Sequence, residues 1–153
     1  MSECLFCMIA RGAAPSHKVW EDPEHLAFLS IYPNTLGVTV VITKEHYGSY
    51  VADLPEKTSA GLFKAACEVA HLLDSQLEDV GRTGIVFEGF GVDHAHAKLF
   101  PMHGTGDIPV WRPIRSRVDK FFDQYEGYLS SHDYRKAHDG DLARLARRLH
   151  GNS

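Results

Sequence analysis

Short apolar runs alternate with turn residues along the chain, and the period of each run predicts an element. Residues 5–10 (LFCMIA) predict a short N-terminal helix, stopped by Gly12 and Pro15. Residues 18–21 and 25–29 read as two strands, parted by the Asp22-Pro23 turn signal. Pro33 to Gly37 marks a second break. Residues 38–43 (VTVVIT) are β-branched throughout and read as a buried strand.

Asp53 has the character of a helix N-cap, with Pro55 in the first turn and Glu56 three residues on. The helix behind it is expected to reach about Glu78. Leu62, Ala66, Val69, Leu73 and Leu77 make one apolar face, with Cys67 near it and Gly81 beyond its end. Residues 85–88 read as a strand, Gly89 and Gly91 as a tight connection, and residues 94–100 as a strand ended by Pro101. A loop rich in Gly and Pro follows, over 103–113. Residues 121–130 fit strand or helix equally. Residues 141–150 (DLARLARRLH) predict a terminal helix with Gly151 after it. The order of elements predicts an α+β fold with antiparallel pairing.

The 153 residues suit one domain. We divide them into a domain over 1–110 and an extension, 111–153, packed on it. With 44% hydrophobic and 24% charged residues, the chain is not disordered. The formal net charge of −4 gives no basic field, so no nucleic-acid partner is expected. Three cysteines, at 4, 7 and 67, are too few for a disulfide framework and suggest a reduced, cytoplasmic setting. Neither a signal peptide nor an apolar run of about 18 residues is visible, so no membrane association is expected.

Ten histidines are many for this length. Histidine ligates metals and moves protons near neutral pH. The densest signal is Asp93-His94-Ala95-His96-Ala97-Lys98-Leu99-Phe100-Pro101. In a strand, His94, His96 and Lys98 share one face, about 6.5 Å apart, while Ala95, Ala97 and Leu99 face the other way. Two imidazoles and an ammonium are costly to bury without partners. The plain alternative is a solvated polar face, which the small apolar neighbours argue against. Cys4-x-x-Cys7 reads as a redox pair, half a zinc site or two buried thiols. A thioredoxin-like layout needs a strand before it, and residue 4 leaves no room for one.

The 94–100 segment resembles the signature of the histidine triad family: His, apolar, His, apolar, His, then two apolar residues. Other motifs follow in the family's order: Leu5-Phe6-Cys7-Met8-Ile9, Trp20-Glu21-Asp22, Leu26-Ala27-Phe28-Leu29, Ile31-Tyr32-Pro33, Lys44-Glu45-His46 and Asp53-Leu54-Pro55. An ordered run of motifs over roughly residues 4–103 is far more specific than one motif. The resemblance implies a five-stranded antiparallel sheet with one long helix and short terminal helices, paired as a homodimer. It implies a nucleotide hydrolase or nucleotidyl transferase acting on nucleoside phosphoramidates or dinucleoside polyphosphates. The middle histidine, His96, would be the nucleophile, with Lys98 assisting. Leu5, Phe6, Ile9, Phe28 and Ile31 would hold the base, Ser30 the ribose, and the backbone at Gly89 and Gly91 the phosphates. Several bacterial members carry zinc on this CxxC, the K-x-H histidine and the first triad histidine, so the resemblance implies a structural zinc on Cys4, Cys7, His46 and His94.

The chain departs from the family at four places. Lys98 replaces the third histidine, Ser30 an acidic or amide residue, and Val38 a frequent histidine. The loop 88–93 is short and lacks the usual glycine-glutamine-serine stretch. These departures motivate the alternative of a nucleotide-binding sensor or scaffold, and a second of a zinc-stabilised interaction module. An imidazole with an ordinary pKa near 6.5 is largely neutral at pH 7, and a neighbouring ammonium keeps it so. That ammonium can also offset charge on phosphoryl oxygens.

Overall fold

The computed structural model of the chain describes residues 3–107, 110–127, 129 and 135–151. Five strands form one antiparallel sheet in the order β1-β2-β3-β5-β4. They are β1 (Lys18–Glu21), β2 (His25–Leu29), β3 (Thr39–Thr43), β4 (Val80–Val86) and β5 (His96–His103). Among the described residues three α-helices accompany them: α1 (Leu5–Ala10), the long α2 (Glu56–Gln76) and α3 (Asp139–His150).

The pleat sorts side chains to two faces. On one, Ala27, Leu29, Val41, Ala97 and Leu99 pack with Leu62, Ala66, Val69 and Leu73 of α2. Leu142, Ala146 and Leu149 of α3 join the same core. On the other, Leu26, Phe28, Val40 and Ile42 pack with Phe6 and Ile9 of α1. The strands at the centre are therefore apolar on both sides, as the unbroken β-branched run at 38–43 predicts. No helix among the described residues is long and apolar enough to cross a membrane.

Several boundaries differ from the sequence reading. Asp53 does not cap α2. It ends a short 3-10 turn, Val51–Asp53, and Pro55 holds the N-cap position with no side-chain cap bond. The cause is local: a residue before proline avoids helical angles. Leu54 is extended (ψ 151°), so the helix starts only after Pro55. At the other end Leu77 is extended, and Asp79 turns the chain with φ 60°. The Asp79 carbonyl accepts N–H bonds from Gly104, Thr105 and Gly106.

Gly81 lies beyond the end of α2, as expected, and within β4. A Cβ there would come 2.3 Å from the Thr105 carbonyl oxygen, so the close approach needs glycine. β5 begins after His94 and continues through Pro101. Beyond Leu99 it has β4 as its neighbour and no longer β3. A strand with one neighbour tolerates a missing N–H. Residues 121–127 form neither strand nor helix, while 128 and 130 lie outside the described residues. Cys67 is half-buried.

Candidate active site and metal centre

His96 opens β5 on its α1 face, His94 lies just before the strand, and both are buried. Their surroundings supply the partners that buried imidazoles require. His94 precedes β5 in a turn whose N–H donates to the Val92 carbonyl. Its Nε2 lies 2.7 Å from the Thr43 carbonyl oxygen. A carbonyl only accepts, so Nε2 carries the proton and Nδ1 the lone pair. His94 Nδ1 lies 3.4 Å from Cys4 Sγ, 3.5 Å from Cys7 Sγ and 3.3 Å from His46 Nδ1. His46 Nδ1 is 3.3 Å from Cys7 Sγ.

These four atoms all lie within 4.8 Å of one another. A zinc tetrahedron with bonds of about 2.0 Å to nitrogen and 2.3 Å to sulfur has edges of about 3.3–3.8 Å. The four contacts of 3.3–3.5 Å fit it, as does the donor set of two thiols and two imidazoles. The Thr43 carbonyl on the far nitrogen is the partner that orients a ligating histidine. Burial and the neighbouring Cys4 thiol push the Cys7 thiol above its usual range. Thiolates are the ligand form, so a cation held here would also keep both cysteines deprotonated.

Cys4 at the N-cap of α1 and Cys7 within it are joined by His46 from the loop after β3 and His94 from the turn before β5. The Ala95 N–H donates to the Tyr47 carbonyl, and Asp93 Oδ1 accepts the Ser49 N–H at 3.0 Å. These bonds fasten the loop bearing His46 to the start of β5. The Ser49 N–H also holds the Asp93 carboxyl below its usual range.

His96 has the opposite arrangement. Its Nδ1 lies 2.6 Å from the His94 carbonyl oxygen, which leaves the lone pair on Nε2. Desolvation lowers its pKa, and the Lys98 ammonium adds to that; the His94 carbonyl and Glu88 oppose it. The imidazole is therefore neutral at pH 7. Phe6 meets its ring edge-on at 5.3 Å.

His96 and Lys98 line a cleft of about 410 Å³. Leu5, Phe6, Ile9, Phe28, Ser30, Ile31 and Gly91 line it too. Phe6, Ile9 and Phe28 are both core and wall, whereas Leu5 and Ile31 are 50% and 41% exposed at its rim. Gly89 is elsewhere. It lies in a neighbouring groove with Ser49, Tyr50 and Phe90, has φ +76°, and packs where a Cβ would meet the Ser49 carbonyl oxygen at 3.0 Å. Its glycine therefore answers a tight connection.

Sequence reasoning missed Val92 and Val40, which also line the cleft, and Glu88, 3.6 Å from the Lys98 ammonium. Val40 was recoverable, since it shares its strand face with Ile42. Glu88 carried no signal, because nothing local says that a carboxylate in the loop after β4 turns inward. His103 bonds the Leu36 carbonyl and is not part of the cleft lining. Arg112, Arg115, Arg117 and Lys120 are exposed and outside the cleft lining.

Comparison with known proteins bears on the family and the fold. The chain is 46% identical over 122 residues to a HIT-like protein of Mycobacterium tuberculosis, covering 76% of this chain and 83% of that one. It is 29% identical over 119 residues to an adenosine 5'-monophosphoramidase of Saccharomyces cerevisiae, covering 76% and 75%. Among solved structures, a Zn-bound histidine triad family protein from Mycobacterium smegmatis superposes with a TM-score of 0.69. That match is 24% identical, spans 97% of this chain and 91% of the other, and shows the shared fold. Residues 11–104 match the HIT domain, and with the fold and relatives above this chain belongs to the histidine triad family.

Proposed function

We propose that this protein is a nucleotide hydrolase or nucleotidyl transferase with His96 as nucleophile. The observation that carries the reading is the His96 ring, held by its Nδ1–H on the His94 carbonyl at the wall of an apolar cleft beside Lys98. A base seats among Phe6, Ile9, Phe28, Leu5 and Ile31, with Ser30 toward the ribose. The neutral Nε2 attacks the α-phosphorus in line. A P–N or P–O bond to the leaving group breaks as the N–P bond forms, and the leaving group takes a proton from water. Water then cleaves the nucleotidyl-histidine to nucleoside monophosphate and free imidazole. Lys98 offsets charge on the phosphoryl oxygens. Gly91 offers its backbone to the same group, and Gly89 acts through the loop only.

The name of the yeast relative, an adenosine 5'-monophosphoramidase, supports a phosphoramidate substrate. The fit of Cys4, Cys7, His46 and His94 to a tetrahedron, together with the Zn-bound structural neighbour, supports a structural zinc. When bound, that ion would tie α1 to β5 and so hold Phe6 against His96. A homodimer belongs to this reading. β4 is an edge strand, and Phe63 of α2 is 54% exposed near Phe87, a surface that a second copy would cover. So does a cytoplasmic setting, and so does the placing of 111–153 as an extension on domain 1–110, which the burial of Leu142 and Leu149 supports.

The test is monophosphate release from adenosine and guanosine phosphoramidates and dinucleoside polyphosphates, with wild type beside His96→Ala. Release that the variant abolishes is the expected result. Nucleotide bound but not turned over would make the protein a nucleotide-binding sensor or scaffold instead.

A further inference from the structure

The third triad position is a lysine, and a lysine brings a difficulty that an imidazole does not. An ammonium on a four-carbon arm is a mobile point charge, whereas an imidazole is aimed by its ring. Something must hold Lys98 toward the phosphoryl group. Glu88 Oε1 lies 3.6 Å from Lys98 Nζ, with the two side chains 6% and 18% exposed. The other carboxylate oxygen, Oε2, accepts the Phe90 N–H at 2.9 Å. That bond fixes the carboxylate and ties it to the loop that runs on to Gly91. Gly91 borders the cleft, and a Cβ there would lie 4.0 Å from Lys98 Nζ.

We infer that Glu88 is a positioning residue, which aims the Lys98 ammonium at the phosphoryl group. The inference rests on the reaction proposed above. At 3.6 Å the pair is coulombic contact rather than a short hydrogen bond. The contact therefore sets the direction of the charge without itself being a short N–H bond. Two effects of Glu88 compete. Orientation favours the transition state, whereas its negative charge weakens the pull of Lys98 on any phosphate. Low exposure of both groups makes removal of one partner costly, which favours orientation.

Glu88→Gln decides between the two by the sign of its effect, because glutamine keeps the volume and one acceptor for Phe90 N–H, while the charge is lost and an NH2 donor replaces the oxygen facing Lys98. We expect kcat to fall about 10-fold with KM changed less than about two-fold, since an interaction made in the transition state has gone. Lys98→Ala should lower kcat by about 10²-fold. In the Lys98→Ala background, Glu88→Gln should then change kcat less than about two-fold, because coupled residues are not additive. A similar loss in both backgrounds, or a gain in kcat/KM, would overturn the inference. Turnover absent in wild type itself would instead defeat the proposed reaction. The same four proteins would then be read by AMP affinity, where a Glu88→Gln loss that persists without Lys98, or no AMP binding at all, overturns the positioning role too.

Discussion

His94 and His96 are two residues apart, on one face of the sheet, and both are buried, yet they serve different regions. The difference is which ring nitrogen a backbone carbonyl takes. The Thr43 carbonyl takes Nε2 of His94, and Nδ1 is left facing Cys4, Cys7 and His46. The His94 carbonyl takes Nδ1 of His96, and Nε2 is left for the cleft. Side-chain chemistry is identical; the backbone hydrogen bond chooses the tautomer and thereby the direction of the lone pair. The two regions are also joined by that carbonyl, since it belongs to one histidine and orients the other.

The sharpest way to break the comparison is to cross the two variants. His96→Ala should cut monophosphate release by roughly 10³-fold or more while zinc content stays at wild-type level. His94→Ala should lose the zinc. Loss of zinc in both, measured by metal analysis of the purified proteins, would mean that the two regions are one. Next in size is chelation. A ligand that binds only the folded state stabilises by about 4 kcal/mol at a concentration about 1,000 times its Kd. Wild type should therefore melt lower with chelator, and Cys4→Ser should show no such drop.

A smaller contrast compares the two faces of the sheet near the site. Leu99→Ala removes a side chain buried against the α2 core and should cost about 2–5 kcal/mol in denaturant unfolding. Ile31→Ala, at the exposed rim of the cleft, should cost under about 0.5 kcal/mol while weakening AMP binding. Equal unfolding costs would show that the rim is core.

The smallest effect serves as a control far from either histidine. Hydrogen bonds from Lys18 and Lys44 lower the Glu21 pKa from 4.5 to about 2. The folded value is depressed, so this stabilisation is present above the unfolded pKa and lost as pH falls from 4.5 toward 2. The Glu21 side chain is 39% exposed, and solvent screening keeps the contribution under about 1 kcal/mol. Glu21→Gln should flatten the acid limb of a stability-against-pH curve and lower stability at neutral pH by no more than that amount. A change at pH 7 beyond that size would implicate more than the ion pairs.

The elements with strong periods were legible in the chain. The β-branched run became β3, the apolar face from Leu62 to Leu73 became the core of α2, and the alternation after Asp93 put Ala97 and Leu99 on α2 and His96 and Lys98 on the cleft. Boundaries were less legible where a neighbour decides them. Pro101 continues β5 because β3 has already ended, and Gly81 sits in β4 because Thr105 presses on it. Neither reason is local.

The candidate site divides in the same way. Residue types and their order determined the chemistry available: two thiols three apart, histidines two apart, a lysine where a third imidazole is usual. Tertiary structure decided what meets what. It brought positions 4, 7, 46 and 94 within reach of one ion, kept Gly91 at the cleft while seating Gly89 against Ser49, and turned Glu88 toward Lys98. A sequence states which donors and acceptors a chain owns, but the direction of a lone pair or an ammonium depends on the partner that folding brings to its other side.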